Sequence, residues 1–253
     1  MDREKVNCIL SNMFLGTITP TSIVQNGLYI TQNGDKISQE RHLSFLPWIQ
    51  ASENSVNCKI YLKNLIKYFR LSRNSERNGV INLRLHNLGD EKLVDWKTCE
   101  QILSNCDFIV NLGSRIGDES EFETENLALV DFANKQIGFG CGRTQEEYLM
   151  GTFPEACAAS ILTNPMTDTQ TISMSGCLDS NLNPRTILAM DALMFSVLPG
   201  ENRIEQLREH NLIRELNKAF GGFSSLDPDL TVDSGFWGCG AFGGDPEIKI
   251  LFK

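Results

Sequence analysis

The sequence predicts an α/β protein, with a sheet covered by helices on both faces in its second half and a mostly helical stretch before it. Three observations predict it. Short apolar runs alternate with segments of helical spacing after residue 106. A glycine-rich turn at Gly138, Gly140 and Gly142 follows one such run. A second glycine-rich segment, Gly238 to Gly244, comes near the other end of that half.

The elements read in order as follows. Arg3 to Phe14 sets Val6, Ile9, Leu10, Met13 and Phe14 at helical spacing. Asn26-Gly27 and Asn33-Gly34 bracket Leu28-Tyr29-Ile30 as turn, strand and turn. Ile60 to Phe69 is a helix with Leu62, Leu65, Ile66 and Phe69 on one face. Gly79 breaks the chain before an alternating strand, Val80 to Leu85. Asp95 to Leu103 reads as a short helix, Cys106 to Leu112 as a strand, and the acidic Gly117 to Asn126 as a loop. Leu127 to Phe132 is a buried strand, and a helix runs through Ala156 to Leu162 after Gln145-Glu146-Glu147. Thr171 to Met174 and Ile187 to Leu193 are two more strands, and Arg203 to Phe220 is a long amphipathic helix. Asp245 as N-cap with Pro246 in the first turn starts a last helix. This places a helical accessory region at 1–105, packed on a core at 106–253.

Composition narrows the function. The chain has 253 residues, 41% hydrophobic and 22% charged, which excludes wholesale disorder. With 23 Lys and Arg against 32 Asp and Glu the net charge is −9, too acidic for a broad nucleic-acid footprint. An anionic ligand must then be caught by backbone amides and helix N-termini. No apolar run approaches 18 residues, so no membrane span is expected, and the polar start Met1-Asp2-Arg3-Glu4-Lys5 does not read as a secretory signal. The eight cysteines form no C-x-x-C pair and the three histidines are scattered, so neither a metal nor another cofactor is expected. Most thiols read as small core side chains of a reduced interior.

The two glycine loops suit an anion, since glycine lets backbone amides approach a phosphate closely. As plain turns they would need no ligand. The Glu146-Glu147 pair sits in the first turn of a helix, where solvated carboxylates are favoured. Its functional reading has one glutamate as general acid toward the loop and the other gripping a sugar hydroxyl. Desolvation and a nearby diphosphate raise the pKa of such an acid, and a helix N-terminus lowers it.

Val130 to Lys135, the first glycine loop, Gln145-Glu146-Glu147 and Trp237 to Asp245 together resemble the catalytic domain of the poly(ADP-ribose) glycohydrolase family. Arg214 to Phe220, Met190 to Leu193, Lys67 to Arg70 and Ile9 to Asn12 carry fainter similarity over nearly the whole chain. The resemblance implies a macrodomain-like three-layer α/β/α sandwich with a mixed central sheet. It implies hydrolysis of ribose–ribose O-glycosidic bonds, with poly(ADP-ribose) or ADP-ribosylated proteins as substrate. Glu147 corresponds to the catalytic acid, and Glu146 and Asn134 to residues holding the scissile ribose. Asp131 and Gln145 belong to the same pocket wall. Gly138 and Gly140 fall in the diphosphate loop, and Gly240, Ala241, Phe242 and Gly243 in the second phosphate loop. A monomer in the cytoplasm or nucleus is expected, with no membrane and no direct nucleic-acid partner.

The chain departs from the family in places. Phe139 stands where a middle glycine is usual, in a shortened loop, and is expected to crowd the diphosphate, with Arg143 compensating as a phosphate partner. Cys177 falls near a tyrosine that closes over substrate in animal enzymes, and Phe236 where an asparagine is usual. The family chain runs on into a further strand beyond the position of Lys253. Two readings follow: an active glycohydrolase, or a module that binds ADP-ribose or its polymer with weak or no turnover. Glu146 and Glu147 favour the first, Phe139 and the missing strand the second. Trp237 reads as core packing, and His42, His86 and His210 as structural or exposed.

Overall fold

The computed structural model describes residues 1–18, 43–74, 79–89, 94–98, 126–195 and 201–250. Helix α1 (Arg3–Leu15) is capped by the Asp2 side chain, which accepts the Lys5 amide, and is closed by Gly16 in the left-handed conformation. Helices α2 (Leu46–Ala51) and α3 (Val56–Asn74) follow, then strand β1 (Asn82–Asn87). Strand β2 (Leu127–Asp131) leads to helix α4 (Gln145–Thr152), a 3₁₀ segment Pro154–Ala158 and helix α5 (Ala159–Leu162). Strands β3 (Gln170–Leu178) and β4 (Pro184–Ala189) form a hairpin. Helices α6 (Glu201–Gln206) and α7 (Glu209–Phe223), strand β5 (Thr231–Asp233) and helix α8 (Pro246–Lys249) complete the order. The sequence expectations at 26–34, at 106–112 and at 117–125 lie outside the described residues, as does most of 95–103.

The sheet is mixed, in the order β1-β3-β4-β2-β5. β1–β3 and β3–β4 are antiparallel, while β2 runs parallel to both β4 and β5. The strand period of two decides the layers. Leu127, Leu129, Ile187 and Ala189 enter the core shared with α1, α3, α4 and the 3₁₀ segment. Val130, Leu188 and Met190 point the other way, toward Ala219 of α7 and Trp237. Every residue of β2 is buried, as a central strand covered on both faces must be. This is the α/β class that the pattern predicted and the mixed sheet that the resemblance implied, and β1 shows that the first hundred residues also supply a strand at the end of the described sheet.

Of the boundaries that differ from the sequence reading, three concern β3, β4 and the long helix. β3 is longer than Thr171 to Met174, with a bulge between Ser175 and Cys177. β4 ends at Ala189, because the chain then turns Asp191 into a buried ion cluster with Arg214 and Lys218. The long helix is two helices, broken where Arg208 adopts an extended backbone. Just before that break Gln206 is buried, and its side-chain oxygen accepts the Asp245 amide at 2.9 Å.

Two buried polar clusters join the layers. Glu155 accepts from the Tyr68 hydroxyl (2.8 Å) and the Leu178 amide (2.7 Å) and pairs with Arg3 at 3.3 Å, tying α1 and α3 to β3. On the other face Glu215 pairs with Arg214 and Lys249, and the Lys249 ammonium lies 4.7 Å from the Trp237 ring centre. A buried charge left unpaired is costly, so each cluster specifies one arrangement of its helices.

Candidate active site

The first loop and α4 build the site locally. Thr144 is the N-cap of α4: its hydroxyl accepts the Glu147 amide, and the Glu147 carboxylate reaches back to accept the Thr144 amide at 2.9 Å. Adjacent residues on a helix point apart, and Glu146 goes elsewhere. Its two oxygens accept the Gly138 amide (3.1 Å) and the Asn134 amide (3.3 Å). Gln145 closes the end of β2, accepting the Phe132 amide at 2.7 Å and donating to the Val130 carbonyl at 2.9 Å. A side chain added at Gly140 or Gly142 would strike the Glu147 carboxylate, so glycine at both positions leaves that group its place under the loop.

The second loop is held from below. Gly238 has φ +79°, and a Cβ there would meet Ala192 at 2.7 Å. The Gly244 amide returns to the Gly238 carbonyl (2.8 Å) and the Gly243 amide to that of Gly240 (3.0 Å). Trp237 is buried and donates its indole N–H to the Met190 carbonyl at 2.9 Å, a packing role as the sequence suggested. Helix α8 starts as predicted, but its first free amides, those of Glu247 and Ile248, already go to the Asp245 carboxylate. Any anion at this loop must therefore use the turn's own backbone.

The two loops face one cavity of about 1040 Å³. Asn134, Gly138, Gly140, Gln145, Glu146, Glu147, Gly240, Ala241 and Phe242 all line it, brought together from the segments that follow the paired parallel strands β2 and β5. Two expected residues do not. Asp131 lies behind the wall, fully buried as the last residue of β2, and Gly243 turns its amide inward to Gly240. Arg143 lines the cavity and is the one basic side chain among its described lining residues.

Phe139 corrects the sequence reading. Phe139 belongs to the cavity wall, but its side chain is 2% exposed and its ring packs 4.9 Å from Phe45 and 5.2 Å from Trp48 rather than standing in the open space. The expectation failed because the aromatic partners come from α2, about ninety residues upstream. Cys177 is likewise buried, inside β3 beside Glu155 rather than at the cavity. Phe236 is exposed, and His86 meets the Ser173 hydroxyl at 2.8 Å. Sequence reasoning missed Leu43, Ser44 and Pro47, which line the cavity from the accessory side, and Met194. None carries a periodic or motif signal.

The electrostatics centre on two carboxyls. Burial raises the Asp131 pKa from its ordinary 3.8 to about 7, and neither of its oxygens has a hydrogen-bond partner among the described residues. Burial, and then the Asp131 carboxyl, push Glu146 well above the usual carboxylate range, against the pull of its two amide donors. Because the unfolded chain ionises Asp131 near pH 4 and the folded chain only near 7, stability falls as pH rises through that window. Below it both states are protonated and Asp131 contributes nothing. Asp131→Asn cannot titrate, so its stability relative to wild type is expected to rise from pH 4 to pH 7.5. Urea midpoints at both values check this, and an unchanged difference contradicts it. Among the described residues no group of three His, Cys, Asp or Glu side chains is placed to hold a metal ion, and no helix is long and apolar enough to cross a membrane.

A mixed sheet between helical layers, with glycine loops converging on one cleft at the strand ends, is the architecture of a macrodomain-type protein. The family model described as poly (ADP-ribose) glycohydrolase (PARG), macro domain fold, matches residues 93–181 and 178–253, and the chain belongs to this family. It is 28% identical over 245 residues to poly(ADP-ribose) glycohydrolase 1 of Caenorhabditis elegans, covering 81% of this chain and 30% of that protein. It is 27% identical over 233 residues to poly(ADP-ribose) glycohydrolase 2 of the same organism, covering 76% and 46%. The chain thus spans less than half the length of either relative.

Proposed function

We propose that this protein hydrolyses the ribose–ribose O-glycosidic bonds of poly(ADP-ribose), releasing ADP-ribose, with Glu147 as general acid and base. One observation carries the reading: Glu146 and Glu147 line the same cavity as both glycine loops, so a diphosphate on the loops sets the attached ribose beside the carboxyls. Glu147, protonated, gives its proton to the leaving ribose oxygen as the glycosidic bond breaks. The positive charge growing on the anomeric carbon is offset by the substrate's own diphosphate. Water then adds to that carbon, and its proton returns to Glu147. Glu146, fixed by the Asn134 and Gly138 amides, holds a ribose hydroxyl. Glycosidases usually pair two carboxylates across the bond; in this reading the diphosphate takes the place of the second.

A second reading, binding of ADP-ribose without turnover, is favoured by one feature. The Glu147 carboxylate already serves as a helix cap through the Thr144 amide. Incubation of the protein with labelled, protein-attached poly(ADP-ribose) separates the two. Free ADP-ribose is expected among the products; ADP-ribose binding by calorimetry with no release establishes the binding module instead.

A further inference from the structure

Three successive carbonyls of the first glycine loop are held from outside the core. The Trp48 indole N–H donates to the Gly140 carbonyl at 2.8 Å. The Cys58 thiol approaches the Cys141 carbonyl at 3.7 Å, and the Asn57 side-chain amide donates to the Gly142 carbonyl at 3.2 Å. All three donors belong to α2 and α3 of the accessory layer. In a planar trans peptide the carbonyl and the next N–H point in opposite directions. Turning these carbonyls toward the helices therefore turns the amides of Cys141, Gly142 and Arg143 away from them. Those amides have no hydrogen-bond partner among the described residues.

Trp48 is the centre of this arrangement. It is fully buried, with Phe45 at 4.8 Å, Tyr61 at 5.3 Å and Phe139 at 5.2 Å between ring centres. Its position is thus set by packing, and its one polar atom is spent on the loop. Gly140, whose carbonyl it grips, is also the glycine that covers the Glu147 carboxylate. The Phe139 ring beside it anchors the residue just before.

We infer that Trp48, assisted by Asn57, is a positioning residue: through its indole N–H the accessory layer holds the first glycine loop and, through Gly140, the place of Glu147. This rests on the glycohydrolase reading for its substrate. The hydrogen bond fixes the backbone of the loop that lines the cavity at Gly138, Gly140 and Arg143 and keeps the Glu147 carboxyl under the loop. A loop released from it must be ordered again each time ligand binds, and that cost appears in affinity and in turnover.

The test compares wild type, Trp48→Phe and Asn57→Ala in the full chain. Phenylalanine keeps a six-membered ring in the aromatic cluster and removes the donor together with the five-membered half of the indole. The readouts are the thermal midpoint, ADP-ribose affinity by calorimetry, and kcat and KM for ADP-ribose release. For Trp48→Phe, kcat and ADP-ribose affinity are each expected to fall about tenfold, the size of one lost hydrogen bond. The midpoint should drop by no more than about 5 °C. A lower midpoint with unchanged kcat, KM and affinity makes Trp48 a packing residue only and overturns the inference. If Trp48→Phe does not fold, the half-buried Asn57 carries the test. Asn57→Ala is then expected to lose about threefold in the same constants, and no loss overturns the inference. If wild type binds ADP-ribose but releases none, the glycohydrolase reading fails while the affinity ratios still decide the role of Trp48. If wild type binds none, both fall.

Discussion

Glu147→Gln is expected to lower the rate of ADP-ribose release by at least ~10²-fold while leaving the fold and ADP-ribose affinity close to wild type. The substitution separates the two things Glu147 does. As N3 of α4 it completes a capping box with Thr144, and a glutamine oxygen accepts the same amide hydrogen bond. The cap therefore survives. What glutamine cannot do is donate a proton to a departing ribose oxygen and take one back from water. General acid–base help of this kind contributes about 10²–10⁴-fold, which sets the expected floor. The measurement is release of labelled ADP-ribose from polymer by both proteins, with their urea midpoints compared. Equal rates would leave Glu147 as a helix cap and move the acid elsewhere. A low rate together with a low midpoint would indicate damage to the loop instead.

The second large effect is on stability. Phe139→Ala is expected to lower the free energy of unfolding by about 3–5 kcal/mol, the range for deleting a buried aromatic ring. The ring is enclosed by Phe45 and Trp48, both fully buried, so the space it leaves cannot collapse without moving α2. Because Trp48 also grips the Gly140 carbonyl, the change should weaken ADP-ribose binding. The sequence alone pointed the opposite way, toward relief of a crowded diphosphate and tighter binding. Urea denaturation with an unchanged m-value, together with calorimetry, decides between them. A loss below about 1 kcal/mol with tighter binding would restore the first view.

Much of the core was legible because its signals are short-range. Leu127 to Phe132 reads as a buried strand from the apolar run Leu127 to Val130, and β2 is buried at every position. The Asp245-Pro246 pair predicts a helix start from capping chemistry alone, and α8 begins there. The first glycine loop and the two glutamates are nearly contiguous, so their meeting in space needed little inference. The errors have one cause. Whether Arg203 to Phe220 is one helix or two depends on Gln206 meeting the Asp245 amide, 39 residues away. The end of β4 depends on Asp191 finding Arg214 and Lys218. The resemblance puts Asp131 in the pocket wall, and the central position of β2 buries it behind the lining residues.

The sequence by itself determined the α/β class, the buried apolar run of β2, and the carboxyl pair beside a glycine turn. Each of these follows from periodicity, capping or backbone freedom within a few residues. Only the tertiary structure decided that Phe139 turns inward and that Trp48 and Asn57 reach the loop from helices far upstream. It also decided that the buried Asp131 carboxyl stands close enough to Glu146 to raise its pKa. A side chain's direction is set by whatever fills the space around it, and here those neighbours are supplied by distant parts of the chain.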